Sequence, residues 1–266
     1  MITFNKLGNY GHLGNQMFQF AAIRGIANNR GLDWAIPSKE LFGTNYPLRS
    51  SIYECFQLKS LNNKSPSNNQ NIISEKSFEF DEDLYDNCPD GSDLEGYFQS
   101  EKYFKNIESS IREDFTFKQI ILDRSQDLMK TFSQGKTVSV HIRRTDYIGN
   151  DYYHSNLPIG YYSNLIDGLG ECDLILICSD DIEWCANQPE LINKKNVFFS
   201  RESSYVDLAL ISMCKINIMA NSSFSWWGSW LNTNPDRIVF APKPWFGKAY
   251  KDLSLKDLFL PEWIVV

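Results

Sequence analysis

From about residue 136 to the C-terminus, short runs of β-branched and other apolar residues alternate with helix-like segments. Strands separated by helices of this length are typical of βαβ units, whose strands form a parallel sheet with helices on both faces. Short, continuous apolar runs suit strands that are buried on two sides. The pattern predicts a doubly wound α/β domain. Its strands are expected at 137–142, 173–178, 196–199, 216–220 and 237–241, and its clearest helices at 205–214 and 223–231.

The N-terminal half begins with the same succession of strand, turn and helix. A strand is expected at 2–5, followed by a glycine-rich turn. Apolar residues at three-to-four spacing then predict a helix over 15–27 that stops near Gly31. We therefore expect two α/β domains, residues 1–130 and 131–266. Two such domains would leave a cleft between them, which is a usual place for a ligand.

Composition excludes several classes of protein. The 266 residues carry 26 Lys and Arg against 33 Asp and Glu, a formal charge of −7, and nucleic-acid binders normally carry a basic excess. No apolar run approaches the roughly 18 residues of a membrane span, and the N-terminus does not resemble a secretory signal. The six cysteines show no C-x-x-C spacing, so we expect reduced thiols. These features predict a cytoplasmic protein, with peripheral association with a membrane left open.

The strand expected at 137–142 ends in an unusual cluster of charge. Apolar and polar residues alternate from Val138 onward, and the segment closes with Arg143, Arg144, Thr145 and Asp146. In open α/β sheets, ligands bind at the carboxyl edge of the strands. Two adjacent arginines there can hold a diphosphate through charge-assisted hydrogen bonds. The alternative is a strand end closed by a salt bridge between Arg144 and Asp146.

A second candidate follows the strand expected at 216–220. The chain passes through Asn221, Ser222 and Ser223 directly into a helix. Serine hydroxyls and the free amides of a first helical turn together form an anion site. Helix capping alone is the alternative. The same three residues match a glycosylation sequon, which we discount because the segment should be internal.

Three further segments carry weaker signals. The turn at 11–16 would let backbone amides approach a ligand at a helix start. Asp180 and its neighbours, which end the strand at 173–178, could bind a ribose or cap a helix. Asp207 could accept hydrogen bonds from a guanine ring, or be an ordinary carboxylate in a first helical turn.

Metal and hydrolase chemistry find little support. The segment 81–83 reads Asp-Glu-Asp and fits the D-x-D element of many sugar transferases, but it lies in an acidic run that we interpret as a solvated loop. With three histidines and no H-E-x-x-H, a zinc hydrolase has no visible ligands. The G-x-S-x-G element of serine hydrolases is also missing. We expect no metal site.

Several motifs together resemble glycosyltransferase family 11, the α-1,2-fucosyltransferases. They span nearly the whole chain in the family's order. The H-x-R-R-x-D element is also similar to that of the α-1,6- and protein O-fucosyltransferases. The segments that carry the resemblance are 11–18, 94–104, 140–147, 221–228 and 259–263.

The resemblance implies a GT-B fold, in which two Rossmann-like domains face a cleft, with the acceptor on the N-terminal side and GDP-fucose on the C-terminal side. It implies that Arg143 contacts the β-phosphate, that Arg144 assists and that His141 shapes the nucleotide pocket. Asp207 would read guanine. The residues expected to line the diphosphate are Ser222, Ser223, Phe224 and Ser225. Gly14 is expected to bind substrate or donor, and Asn15 to lie beside the reacting sugar.

The implied reaction is an inverting transfer of fucose to the 2-hydroxyl of a galactose-terminated glycan. Arginines and helix amides would neutralise the leaving diphosphate without a metal ion or other cofactor. Asn15, Arg143 and Asp146 are the expected catalytic residues. The residues leave the general base open between Asp146, Glu95, Glu101 and His12. A transferase for another nucleotide sugar and a non-catalytic glycan-binding protein are the alternative functions.

Overall fold

The computed structural model describes residues 1–9, 11–41, 50–62, 64, 71–132 and 135–266, which form two compact units. Unit 1 contains Met1–Lys118 and Leu253–Leu260, and unit 2 contains Gln119–Asp252 and Pro261–Val266.

Unit 1 is built on four parallel strands in the order β2-β1-β4-β3. The chain runs from β1 to β2 on one side and later returns to β4 on the other side of β1. In such sheets, the point where the strand order reverses is a favoured place for a ligand. The elements are β1 (Ile2–Thr3), α1 (Leu13–Arg30), β2 (Trp34–Ala35), α2 (Ile52–Cys55), β3 (Asn71–Ser74), α3 (Glu82–Asn87), β4 (Ser92–Glu95), the 3₁₀ turns Glu101–Tyr103 and Lys105–Ile107, and α4 (Glu108–Asp114).

Helix α1 is the central helix of unit 1. It begins two residues before the predicted start and ends as predicted at Gly31, which has φ 62° in the left-handed region. Glycine adopts that conformation without strain, so it is the usual residue after a helix C-terminus. The helix is buried on several faces from Leu13 to Ala27, because the sheet and the 3₁₀ turns both pack against it.

Unit 2 is built on six parallel strands in the order β10-β9-β8-β5-β6-β7. The predicted parallel sheet is confirmed, with strand ends shifted by at most two residues. The sequence did not predict the last strand, β10. The elements are α5 (Gln119–Thr131), β5 (Thr137–Ile142), α6 (Ile159–Leu169), β6 (Leu174–Ser179), α7 (Ile182–Cys185), α8 (Pro189–Ile192), β7 (Val197–Phe199), α9 (Ser204–Met213), β8 (Ile216–Ile218), α10 (Ser223–Leu231), β9 (Ile238–Ala241) and β10 (Ile264–Val265).

Strand β5 is buried along its whole length. The sequence predicted one apolar face and one polar face, and both faces are covered. On the polar face, the hydroxyl of Ser139 accepts a hydrogen bond of 2.7 Å from the side-chain amide of Asn217 on β8. Because buried polar groups need partners, this cross-strand bond removes the cost of placing a serine in the core.

The boundary between the units differs from the predicted division at residue 130. The structure divides the chain after Lys118, and residues 253–260 return to unit 1. The reason is that α5 packs against α9 and therefore belongs to unit 2. A linear division of the sequence could not anticipate the returning segment.

The six cysteines are all free and buried, which agrees with the expectation of reduced thiols. The three tryptophans of α10, Trp226, Trp227 and Trp230, are fully buried. Their rings contact one another at centroid distances of 5.0–6.3 Å, so they serve packing, as predicted.

Gly25 allows helix α1 to pack closely against the backbone of the 3₁₀ turn Glu101–Tyr103. A Cβ atom at this position would lie 1.8 Å from the backbone carbonyl oxygen of Tyr103. We therefore expect Gly25→Ala to force α1 away from the 3₁₀ turn and to lower the free energy of unfolding by roughly 1–3 kcal/mol. Urea unfolding followed by circular dichroism measures the change.

Gly168→Ala is the matched control, because Gly168 also lies in a helix and its added Cβ would meet nothing within 4 Å. Alanine favours helix by up to about 1 kcal/mol over glycine, so this variant should be neutral or more stable. Equal destabilisation of both variants would contradict the steric explanation.

Candidate active site

The carboxyl ends of three neighbouring strands in unit 2 bring the candidate residues together. Strand β5 pairs with β6 on one side and with β8 on the other. The chain runs outward from β5 through β6 and β7 and then returns to β8, so the strand order reverses between β5 and β8. The arginine segment follows β5, and the serine segment follows β8. The two segments that the sequence singled out therefore meet at the reversal point, where α/β sheets bind ligands.

Arg143 is held by two carboxylates. Its Nε and Nη2 donate to the two oxygens of Asp146 at 2.8 and 2.7 Å, and its Nη1 lies 3.2 Å from Oδ2 of Asp180. Burial disfavours the charged guanidinium, but the two carboxylates outweigh burial, so the pKa of Arg143 is raised. The side chain is a permanent cation with a fixed orientation. The salt bridge considered from sequence, between Arg144 and Asp146, is not formed, because Asp146 pairs with Arg143 and Arg144 pairs with Asp181.

Arg144 is held by one carboxylate and by an aromatic ring. Its Nε lies 3.2 Å from Oδ2 of Asp181, and its guanidinium carbon lies 3.4 Å from the ring centre of Trp184. Stacking on an aromatic face positions an arginine without using its hydrogen-bond donors. Four of its five N–H groups have no hydrogen-bond acceptor within the described part of the chain. Arg144 therefore keeps more donors available for an anion than Arg143 does.

Asp180 organises the arginine segment, a role that the sequence did not reveal. Its Oδ1 accepts from the backbone N–H of Arg144 at 2.9 Å, and its Oδ2 accepts from the N–H and the hydroxyl of Thr145 at 3.2 and 2.5 Å. The neighbouring Asp181 caps α7 by accepting from the N–H of Trp184. Capping, one of the two interpretations of this segment, applies to Asp181. The signal available in the sequence was an acid at the end of a strand next to β5.

The start of α10 lies beside this cluster. Ser222 is the N-cap, and its hydroxyl accepts from the N–H of Phe224 at 3.3 Å. Asn221 is buried and donates to the carbonyls of Ser155 and Trp245 at 2.9 and 2.8 Å. The sequon was therefore correctly discounted. Capping is real here, and the positive end of the helix dipole still faces the carboxyl edge of the sheet.

His141 joins the two segments through Ser225. The Nδ1 atom of His141 lies 2.5 Å from the hydroxyl oxygen of Ser225, which also accepts from the N–H of Ala220 at 3.1 Å. The hydroxyl proton finds no other acceptor within the described residues, so it is assigned to Nδ1. The imidazole consequently carries its own proton on Nε2. Ser225 is buried, so its hydroxyl orients His141 and is not exposed to line a diphosphate.

Burial lowers the pKa of His141 to about 4, and the charge of Arg143 also lowers it, while Asp180 opposes the shift. The ring is therefore neutral at physiological pH. A neutral imidazole with a fixed tautomer offers one N–H donor in a constant direction. The ring of Phe224 lies 5.1 Å from it, centroid to centroid.

Tyr147 is a second residue that the sequence analysis did not assign. Its hydroxyl donates to the carbonyl of Asn221 at 2.8 Å, and the guanidinium carbon of Arg143 lies 5.9 Å from its ring centre. Tyr147 thus ties the segment after β5 to the segment after β8. Its position six residues after His141 gave no pattern that could identify this contact.

Asp207 lies in the first turn of α9 and is 8% exposed. It accepts hydrogen bonds from the hydroxyl of Ser200 and from the thiol of Cys178. Burial outweighs these bonds and raises the pKa of Asp207 to about 7. A buried carboxyl group with a pKa near neutrality is more than an ordinary carboxylate of a first helical turn.

Unit 1 has its own reversal point, between β1 and β4. Asn15, in the first turn of α1, accepts a hydrogen bond of 2.9 Å from the side-chain amide of Gln99, which follows β4. Gly14 is buried in the same turn. Gly11 has φ 77°, and an added Cβ there would collide with the side chain of Asn15. The turn before α1 therefore makes room for Asn15.

Two of the remaining base candidates form ion pairs, and the third stands at the N-cap position of α1 without a side-chain capping bond. Glu95 pairs with Lys6 at 2.8 Å, and Glu101 pairs with Lys105 at 3.0 Å. His12 is the N-cap residue of α1. Together with Asp146, which pairs with Arg143, three of the four candidates are engaged by a cation.

The acidic segment at 81–83 is the start of a helix and not the solvated loop that we expected. Asp81 caps α3 by accepting from the N–H of Leu84 at 2.9 Å, and Asp83 accepts from the amide of Asn87. Across the described residues, no group of three or more His, Cys, Asp or Glu side chains could hold a metal ion.

Comparison with known proteins gives a match over nearly the whole chain. The model of the family described as "Glycosyl transferase family 11" matches residues 2–266. An alpha-1,2-colitosyltransferase of Escherichia coli is 31% identical, with 96% of each chain covered. The O-antigen biosynthesis glycosyltransferase WbnK of the same species is 37% identical, over 64% of this chain and 59% of its own length. Galactoside alpha-(1,2)-fucosyltransferase 1 of Leontocebus fuscicollis is 25% identical, over 64% of this chain and 51% of its own length.

Solved structures show the same fold at low sequence identity. POFUT1 in complex with GDP-fucose has a TM-score of 0.57 at 11% identity, covering 90% of this chain and 96% of its own. NodZ alpha-1,6-fucosyltransferase soaked with GDP-fucose has a TM-score of 0.52 at 12% identity, covering 86% and 91%. The GT-B fold class expected from the sequence is confirmed. Among the described residues, no helix is both long and apolar enough to cross a membrane.

The hydrogen bond from Ser225 predicts the protonation of His141. The chain has three histidines, so the ¹⁵N signals of their side chains can be assigned by substitution. We expect His141 to show an unprotonated Nδ1 and a protonated Nε2 from pH 5 to pH 8, because burial suppresses its titration. Ser225→Ala should mix the two tautomers, and Ser225→Thr should restore one. A protonated Nδ1 in the unsubstituted protein would contradict the assignment.

The buried Asp207 predicts a dependence of stability on pH. Burial raises its pKa to about 7 in the folded state, against 3.8 for an ordinary aspartate. Between these values the unfolded chain releases the proton and the folded chain keeps it, so stability falls as pH rises from about 4 to about 7. Each unit of difference between the folded and unfolded pKa corresponds to about 1.4 kcal/mol in the free energy of unfolding. Urea unfolding at several pH values measures this effect. As pH rises from about 4 to about 7, the free energy of unfolding should decline less in Asp207→Asn than in the unsubstituted protein.

Asp236→Asn removes an exposed aspartate and is the matched control for this comparison. It should leave the pH dependence of stability unchanged. If the decline persists in Asp207→Asn at full size, another group is responsible for it.

Proposed function

The chain belongs to glycosyltransferase family 11, and on that basis we propose that it transfers L-fucose from GDP-β-L-fucose to the 2-hydroxyl of a terminal galactoside. The transfer inverts the anomeric carbon and needs no metal ion. One observation carries the proposal: Arg143 and Arg144 follow β5, the start of α10 follows β8, and these strands are neighbours at the reversal point of the sheet.

The chemistry requires positive charge at the leaving group. When the bond between fucose and GDP breaks, negative charge grows on the diphosphate, while the sugar becomes oxocarbenium-like. Fixed donors that face this charge lower the barrier because they do not have to reorganise during the reaction. Arg143 and Arg144 supply permanent cations, and α10 supplies the positive end of its dipole. In this proposal they replace the divalent ion of metal-dependent transferases.

The carboxylates around the arginines define how the donor would bind. Asp146, Asp180 and Asp181 neutralise the two arginines in the free protein. A diphosphate would therefore bind first through the N–H groups of Arg144 that have no acceptor among the described residues, and would share Arg143 with Asp146. We propose that Asp146 acts by orienting Arg143, and that Asn15 lies beside the reacting sugar.

Asp207 supports a guanine nucleotide. Its ionised carboxylate would accept hydrogen bonds from N1–H and the exocyclic amine of guanine, whereas uracil offers only one N–H donor. With a pKa near 7, Asp207 would bind guanine by releasing its proton. Ser200 already holds one carboxylate oxygen, which fixes the direction of the other.

A second donor sugar deserves a test because the relative that covers 96% of the chain is an alpha-1,2-colitosyltransferase. The residues around the diphosphate do not distinguish two sugars on the same nucleotide. A non-catalytic glycan-binding protein is disfavoured, because two partly buried arginines at a strand end would add nothing to the recognition of a neutral glycan.

The decisive experiment measures release of GDP when donor and galactoside are mixed in excess EDTA. The donors are GDP-fucose, nucleotide-linked colitose, GDP-mannose and UDP-galactose. We expect acceptor-dependent release from GDP-fucose that EDTA does not reduce. Arg143→Ala and Arg144→Ala should each lower kcat/KM by about 10²-fold or more, since each removes a donor that acts on the departing charge.

Arg201→Ala is the matched control. Arg201 is an exposed arginine of the same unit, paired with Glu183, and its removal should leave kcat/KM unchanged. Near-normal turnover of both Arg143→Ala and Arg144→Ala would refute the proposed role of the arginines. Activity that EDTA abolishes and Mn²⁺ restores would refute metal independence, and preference for colitose would reassign the donor.

A further inference from the structure

Unit 2 carries three exposed tyrosines that the proposed donor site does not use. Tyr152, Tyr153 and Tyr250 are 61%, 45% and 43% exposed, and we call them the tyrosine surface. The rings of Tyr152 and Tyr153 lie 5.1 Å apart at 82°, and those of Tyr153 and Tyr250 lie 5.8 Å apart at 49°. Large aromatic side chains grouped at a protein surface commonly mark an interaction site.

The backbone presents these rings in a fixed arrangement. The segments that carry them form an antiparallel bridge between His154 and Phe246. The N–H of Gly247 donates to the carbonyl of Tyr153 at 2.9 Å, and the N–H of Ala249 donates to that of Tyr152 at 2.7 Å. A Cβ atom at Gly247 would lie 2.7 Å from the carbonyl oxygen of Tyr152, so glycine permits this close approach. The rings therefore project from a hydrogen-bonded support and need little ordering on binding.

The tyrosine surface is continuous with the candidate donor site. The ring of His154 stacks on Tyr147 at 4.3 Å with an angle of 6° between the planes. Tyr147 in turn contacts Arg143 and bonds to the carbonyl of Asn221. Aromatic contacts thus run from the arginine segment to His154, the residue that follows Tyr153 in the chain, all within unit 2.

Charge and chemistry identify what could bind there. Within two residues of the three tyrosines in sequence, the exposed charges cancel, with Asp151 and Asp252 against Lys248 and Lys251. A surface without net charge does not favour an anionic membrane, which attracts clusters of Lys and Arg. Tyrosine combines a rigid apolar face with a hydroxyl at its rim. A pyranose ring matches this pattern, since its C–H face packs on an aromatic ring and its hydroxyls bond to the rim.

From the arrangement, neutrality and continuity of the tyrosine surface, we infer that it binds an uncharged oligosaccharide acceptor, at the sugars beyond the galactose that reacts. The inference rests on the proposed function. It assigns to this surface a preference for extended acceptors over a single galactose.

Kinetics with acceptors of different length test the inference. The probes are methyl β-galactoside and uncharged, galactose-terminated oligosaccharides of two to four sugars. We expect the unsubstituted protein to show a lower KM for the longer acceptors. Tyr152→Ala combined with Tyr153→Ala should raise that KM about tenfold, the effect expected for losing one to two stacking contacts. The KM for GDP-fucose and the kinetics with methyl β-galactoside should not change.

Two further variants isolate the ring contact. Tyr152→Phe combined with Tyr153→Phe keeps the rings and should retain most of the preference for longer acceptors. Ile192→Ala removes a 49% exposed apolar side chain of the same unit and should have no effect. An equal KM for all acceptor lengths in the unsubstituted protein, or an unchanged KM in the double alanine variant, would overturn the inference.

Direct binding separates this inference from the proposed function. Saturation-transfer NMR with the tetrasaccharide and no donor should show contacts that the double alanine variant loses, even if no sugar is transferred. Absence of transfer together with such contacts would refute the proposed function and leave the binding surface. Binding to phosphatidylglycerol vesicles that the double variant loses, without any saccharide contacts, would show a membrane surface and overturn the inference.

Discussion

The pairing of β5 with both β6 and β8 is the constraint on which the candidate site depends. Because all three strands are parallel, the segments that leave their carboxyl ends emerge at one edge of the sheet. The arginines come from the first strand, Asp180 from the second and the start of α10 from the third. No single stretch of sequence contains this set. A shift of one strand by one residue would turn His141 away from Ser225, since alternate residues of a strand face opposite sides.

Charge compensation explains why the arginines can be held in place before any ligand arrives. A partly buried guanidinium without a partner is costly, and removing one member of such a pair leaves the other charge uncompensated. Asp146 and Asp180 therefore stabilise Arg143 in the free protein, and Asp181 and Trp184 position Arg144. The same carboxylates compete with an incoming diphosphate. The site gains a fixed geometry and gives up some of its affinity for the anion.

Each unit has a helix that begins where its strand order reverses, but the residues at that point differ in chemistry. In each, the chain reverses its strand order beside the first strand of the unit, and a helix begins at that point. Unit 2 places cations and a capped helix start there, which suits a phosphate group. Unit 1 places the amides of Asn15 and Gln99 there, which suits a neutral polar ligand. The tyrosine surface extends the chemistry of unit 2 toward saccharides.

The sequence by itself determined the parallel sheet of unit 2 and helix α1, which ends before Gly31. It also determined the two candidate segments, which follow β5 and β8. These follow from local patterns, namely apolar periodicity, glycine after a helix and serine before one. Only the tertiary structure decided that Asp146 pairs with Arg143, that Asp180 supports the arginine segment and that Ser225 turns its hydroxyl toward His141. It also decided that residues 253–260 return to unit 1. The physical reason is that each of these depends on which strands become neighbours, and that choice is made by packing between residues far apart in the chain.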